Sequence, residues 1–68
     1  MTPTLTEEQA LLEAVRHGHD TQALAIREAS AMLAMAGRFT PHEDLHWAWK
    51  ALCCNGSVVR QGRRWRCA

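Results

Sequence analysis

The residues that could do chemistry are concentrated between His42 and Cys67. His42-Glu43-Asp44-Leu45-His46 spells the His-Glu-x-x-His pattern, which on a helix sets two imidazoles on one face with a carboxylate beside them, the arrangement zinc proteases use. A chain of 68 residues cannot build a catalytic cleft around that pattern. His42 also falls in the first turn of the helix it would need, so the pair reads as two surface histidines. Cys53, Cys54 and Cys67 could meet if the chain doubles back after Gly56. Two adjacent cysteines lack the Cys-x-x-Cys spacing that structural zinc prefers, and three make a poor disulfide framework. They read as small buried hydrophobes or free thiols, with zinc or a disulfide as the lesser alternatives. No general base or triad pattern supports a nucleophilic cysteine. The expectation is a protein with no catalytic turnover, no cofactor and no resident metal.

Arginine is the stronger signal. Arg60, Arg63, Arg64 and Arg66 crowd seven positions around Gly62 and Trp65. From Leu45 onward there are five cations, these four and Lys50, and no acid. From Met1 to Asp44 seven acids (Glu7, Glu8, Glu13, Asp20, Glu28, Glu43, Asp44) face three arginines (Arg16, Arg27, Arg38). The net charge is only +1, so composition alone does not indicate a nucleic-acid binder, but the distribution gives the chain a basic C-terminal end. Such a cluster is either a solvated face, a contact for nucleic acid, or a contact for an acidic protein surface.

These groups must be positioned by a small scaffold. A single domain of this length buries only about 60 % of its unfolded surface, so a partner or a staple is common at this size. Hydrophobic residues make up 47 % of the chain, which marks it as folded. The N-terminus has neither the basic region nor the apolar core of a signal peptide, and no run approaches the ~18 apolar residues of a membrane span. Together with the unpaired cysteines, this reads as a cytoplasmic protein without a membrane partner.

Capping and periodicity place three helices and a hairpin. After a short lead-in from Met1 to Leu5, Thr6-Glu7-Glu8-Gln9 is a capping box opening a helix over about 6–17, with Leu11, Leu12 and Val15 inward and Gly18 as its stop. Asp20 or Thr21 caps a second helix over about 21–36, ended by Gly37. That helix is apolar around most of its circumference. It either packs closely on both neighbours or meets a partner, and a homodimer through it, around Ala25, Met32 or Met35, is expected. Thr40-Pro41-His42-Glu43 offers a second capping box with proline at the first helical position, opening a helix over about 40–54. On it Leu45, Ala48, Trp49 and Leu52 form the core stripe. Glu43, Trp47, Lys50 and Cys54 lie opposite, and His46 sits at the edge. Trp47 either packs against the second helix or is a binding hot spot. Asn55-Gly56 stops the helix, and about 57–67 reads as a two-stranded hairpin. A two-residue Gln61-Gly62 loop pairs Arg60 with Arg63, Val59 with Arg64 and Val58 with Trp65, whereas a bulged loop would shift that register. Val58, Trp65 and Cys67 share the inner face; Val59, Arg64 and Arg66 share the outer one.

This order resembles a winged helix-turn-helix domain. The segment Leu45-His46-Trp47-Ala48-Trp49-Lys50-Ala51-Leu52, followed by Gly56-Ser57-Val58-Val59-Arg60-Gln61-Gly62-Arg63-Arg64-Trp65, is similar to the third helix and wing of that family, and the likeness covers about residues 21–67. The fold class it implies is mainly α with a C-terminal β-hairpin. It also implies a small DNA-binding transcription regulator, with the third helix in the major groove and the wing on the backbone or minor groove. The contact residues would then be Arg60, Arg63, Arg64, Arg66, Lys50 and His46, with Trp47, Met32 and Met35 left for protein partners. Glu43 and Asp44 at the head of the third helix would repel phosphates. The alternative is a compact protein-binding inhibitor or adaptor, of the kind phages encode against host systems, anti-CRISPR proteins among them, which would act by occluding a host protein.

Overall fold

The computed structural model describes residues 5–68, so most of the lead-in, residues 1–4, lies outside the described residues. Three helices, α1 (Glu7–Arg16), α2 (Gln22–Met35) and α3 (His42–Cys54), precede an antiparallel hairpin of β1 (Val58–Gln61) and β2 (Arg64–Cys67). The layout is consistent with a winged helix.

Local chemistry sets most of the boundaries. Thr6 accepts from the Gln9 amide and the Gln9 side chain accepts from the Thr6 amide, both at 3.1 Å, so the first capping box is complete. Thr21 caps α2 by accepting from the Leu24 amide at 3.3 Å. Each helix ends by the same device. The amides of His19, Arg38 and Ser57 donate back to the carbonyls of Ala14, Leu33 and Leu52, across glycines at 18, 37 and 56. At Gly37 this needs φ +83°, a left-handed conformation that a side chain would strain.

The head of α3 differs from the expected capping box. Pro41, not Thr40, is the N-cap, and no side chain caps the helix. Proline fixes φ, here −59°, but leaves ψ free, and at ψ 144° Pro41 is still extended. Its carbonyl accepts from Asp44 and Leu45 instead. Glu43 and Asp44 remain in the first turn, where their charge suits the positive end of the helix dipole.

The core is a single cluster drawn from every helix and β1: Leu11, Val15, Ile26, Leu33, Leu45, Trp49, Leu52 and Val58, with Ala10, Ala14, Ala25 and Ala29 letting the helix backbones approach. The nearly all-apolar α2 turns Ala25, Ile26, Ala29 and Leu33 inward. Of the residues expected to meet a partner, Ala25 is instead fully buried in the core, Met32 packs half-buried against it, and Met35 is 90 % exposed.

The hairpin register also differs. Its tip is Gly62-Arg63, and the pairs are Gln61 with Arg64, Arg60 with Trp65, Val59 with Arg66 and Val58 with Cys67. Gly62 has φ +66° and Arg63 does not have a positive φ, which fits the II′ turn that takes glycine at its first central position. Moving the tip by one residue shifts the pairing by two. Because side chains alternate with period two, every residue keeps its expected face. The outer edge of β2 is covered as well. The Trp65 amide donates to the Asp20 carbonyl at 2.7 Å, so the α1–α2 connector lies along that edge as a one-bond substitute for a third strand.

Candidate nucleic-acid interface

The hairpin is held to the helices by its inner face. Val58 is buried, Trp65 is half-buried against Trp49, and the Cys67 thiol points at the Leu12 carbonyl at 3.5 Å. That anchoring leaves the arginines outside. Arg64 and Arg66 stand on the outer face, Arg63 occupies the tip, and Arg60 sits at the distal end of the inner face; all four are exposed.

Few of these charges are neutralised within the chain. Arg64 Nε lies 3.6 Å from Asp20 Oδ2, an exposed contact of little energy. Arg60 donates from Nε to the Gly62 carbonyl at 3.0 Å, which braces the tip and leaves its charge uncompensated. Among the described residues no carboxylate pairs with Arg60, Arg63 or Arg66. Four guanidiniums on one short ribbon repel one another, and an anionic partner would relieve that repulsion.

The exposed face of α3 carries Glu43, His46, Trp47 and Lys50, as its periodicity predicts. His46 Nδ1 is engaged by Gln22 Nε2 at 3.0 Å, which ties the head of α2 to α3 and orients the imidazole. With His42 exposed and His46 so engaged, the two imidazoles of the His-Glu-x-x-His pattern lie on the surface. Lys50 Nζ sits 5.4 Å from the centre of the Trp47 ring, a cation–π pair one helical turn apart. Trp47 itself remains 65 % exposed and makes no packing contact that buries it against α2.

Sequence reasoning missed a feature beside Trp47. Glu7 and Glu8 at the head of α1 come next to Asp44, Trp47 and Ala48 of α3 and line a shallow notch with them. Both acidic pairs were legible as helix first-turn residues, but nothing in the spacing joins residues more than thirty positions apart. The molecule thus has two surfaces of opposite sign, an arginine ribbon and an acidic notch walled by tryptophan.

Cys53 and Cys67 are half-buried and Cys54 is exposed, all three as free thiols. Burial, and then the neighbouring Cys54, push the Cys53 thiol above its ordinary value of 9.0, which keeps it protonated and poorly nucleophilic. No helix among the described residues is long and apolar enough to cross a membrane. No protein-family model, curated protein or solved structure matches the chain.

Proposed function

We propose that the chain binds duplex DNA through its arginine-rich hairpin and acts as a small transcription regulator, by occupancy and without turnover. One observation carries this reading: four exposed arginines stand on a ribbon whose inner face is fastened to the core, with only one of them near a carboxylate. Phosphate contacts require mobile counterions to be released by fixed cations, and a fastened ribbon holds such cations at little entropic cost. Glu43 and Asp44 keep the head of α3 from approaching phosphates. Contact is therefore centred on the wing, with Lys50 and His46 beside it. Arginines at the tip and outer face suit backbone or minor-groove contacts better than base readout in the major groove.

The test is fluorescence anisotropy with a duplex of about 25 base pairs across a salt series. If four phosphates are neutralised, the slope of log K against log salt is about −3.6. Arg63→Ala with Arg64→Ala removes two contacts and flattens that slope by about two. An absence of duplex affinity at low salt would sink the proposal.

A second reading rests on Trp47. A tryptophan 65 % exposed beside Glu7, Glu8 and Asp44 suits a basic protein partner, and the chain would then act as an occluding inhibitor or adaptor. The two readings separate by mutation. On the DNA reading Trp47→Ala leaves duplex affinity within about threefold while the double arginine variant weakens it about tenfold or more; on the inhibitor reading the wild type has no duplex affinity to lose.

A further inference from the structure

Asp20 meets the wing through both its backbone and its side chain. Its carbonyl accepts from the Trp65 amide at 2.7 Å, and its carboxylate lies 3.6 Å from Arg64 Nε. The residues on either side of it are fixed as well. The His19 amide donates to the Ala14 carbonyl at 2.9 Å, and Thr21 accepts from the Leu24 amide to cap α2. Because Thr21 supplies that cap, the Asp20 carboxylate is free to face the wing. Its side chain is 28 % exposed, against 78 % for Arg64. Asp20 is therefore an anion fixed by its backbone, and Arg64 is a cation that extends past it into solvent. Among the described residues, Asp20 carries the one carboxylate paired with a wing arginine.

We propose that Asp20 is a built-in counterion that lowers the affinity of the wing for phosphate, acting through Arg64. The inference rests on the DNA-binding reading above. A carboxylate beside an arginine can act in two opposite ways. It can hold the guanidinium in one orientation and so improve its grip on phosphate, or it can offset the cation and so weaken that grip. The first needs a hydrogen bond, and 3.6 Å is too long for one. It also needs an enclosed side chain, whereas Arg64 is mostly exposed. The second needs only proximity, because charges act over several ångströms. Offset therefore outweighs orientation. A phosphate approaching Arg64 competes with Asp20 for the guanidinium and is repelled by the carboxylate itself. Arg63 and Arg66 pair with no carboxylate and keep their full attraction. The attenuation applies to any duplex, since phosphate contacts carry no sequence information.

Fluorescence anisotropy with a duplex of about 25 base pairs at about 50 mM salt tests this, with circular dichroism confirming that each variant is folded. Asp20→Asn keeps the carbonyl that accepts from Trp65 and removes the charge. It should tighten binding about threefold. In an Arg64→Ala background the same substitution should change affinity by less than about 1.5-fold, because the cation it acts on is gone. In an Arg66→Ala background, which also lacks one wing cation, the tightening should remain about threefold. The counterion role is overturned if Asp20→Asn binds no tighter than the wild type, or if it tightens binding equally in the two arginine backgrounds. Both outcomes leave a wild type that binds duplex DNA. Failure of the DNA reading looks different, because the wild type itself then shows no affinity at low salt, and the counterion role falls with it.

Discussion

The indole of Trp65 meets that of Trp49 edge to face, with ring centres 5.5 Å apart and planes at 81°. This geometry places the positive edge of one ring on the negative face of the other. It also links the wing to α3 through side chains. Trp49 is almost fully buried in the helical core, so the contact transmits the position of α3 directly to β2.

Trp65→Ala is accordingly expected to cost about 3 kcal/mol, from lost burial plus the ring pair. For a domain of this length, whose whole stability is about 5 kcal/mol, that brings the chain close to unfolding. Urea denaturation followed at the helical circular-dichroism band measures it. Trp65→Phe keeps an aromatic edge and should recover more than half of the loss. A cost below about 0.5 kcal/mol for Trp65→Ala would show that the wing is not fastened by this pair.

The inner face of the wing was readable before the register was. Val58, Trp65 and Cys67 alternate correctly for any register that differs by two, so the sequence fixes faces more firmly than partners. Glycine supplied the missing information: at 62 it can open a II′ turn, which moves the tip to Gly62-Arg63. The helix ends were readable because Gly18, Gly37 and Gly56 each close an apolar-rich helical segment. The start of α3 was not, because a proline suits both the first helical residue and the cap before it. Nor was the orientation of α2. When alanine, leucine and methionine surround a helix, periodicity has no contrast, and only the neighbours α1 and α3 decide that Met32 turns in and Met35 turns out. The bond from Trp65 to Asp20 was invisible for a simpler reason, since backbone groups carry no residue signature.

Arg38 secures the opposite end of the molecule. One arm of its guanidinium donates to Glu7 Oε1 at 2.7 Å and another donates to the Leu5 carbonyl, so the turn after α2 grips the start of α1. Both side chains are about a third exposed, and solvent screens the pair. Arg38→Ala should therefore cost only about 1 kcal/mol overall. Its effect should be local, with faster hydrogen exchange at the Ala10 amide, which donates to the Thr6 carbonyl in the first turn. Arg38→Lys keeps the charge but cannot make both bonds, so it should restore only part of the protection. Unchanged exchange at Ala10 in Arg38→Ala would mean that the capping box holds this end unaided.

Cys53 gives the fold an alkaline dependence. Its thiol is raised above the ordinary value of 9.0 first by burial and then by the adjacent Cys54. The folded chain therefore holds this proton more tightly than the unfolded chain does. Where the unfolded state binds fewer protons, stability falls with rising pH. The contribution of Cys53 is complete below about pH 9 and is lost as pH climbs through the raised value. Denaturation midpoints compared between about pH 7 and pH 10.5 should fall more steeply for the wild type than for Cys53→Ala, even though the variant starts lower because it vacates half-buried volume. The comparison isolates Cys53, because Cys54 and Cys67 are present in both proteins. Alkylation should order the thiols the same way, with the exposed Cys54 modified before Cys53 at about pH 8. Parallel pH profiles for the two proteins would show that Cys53 carries no such linkage, and earlier alkylation of Cys53 would show that its burial does not protect the thiol.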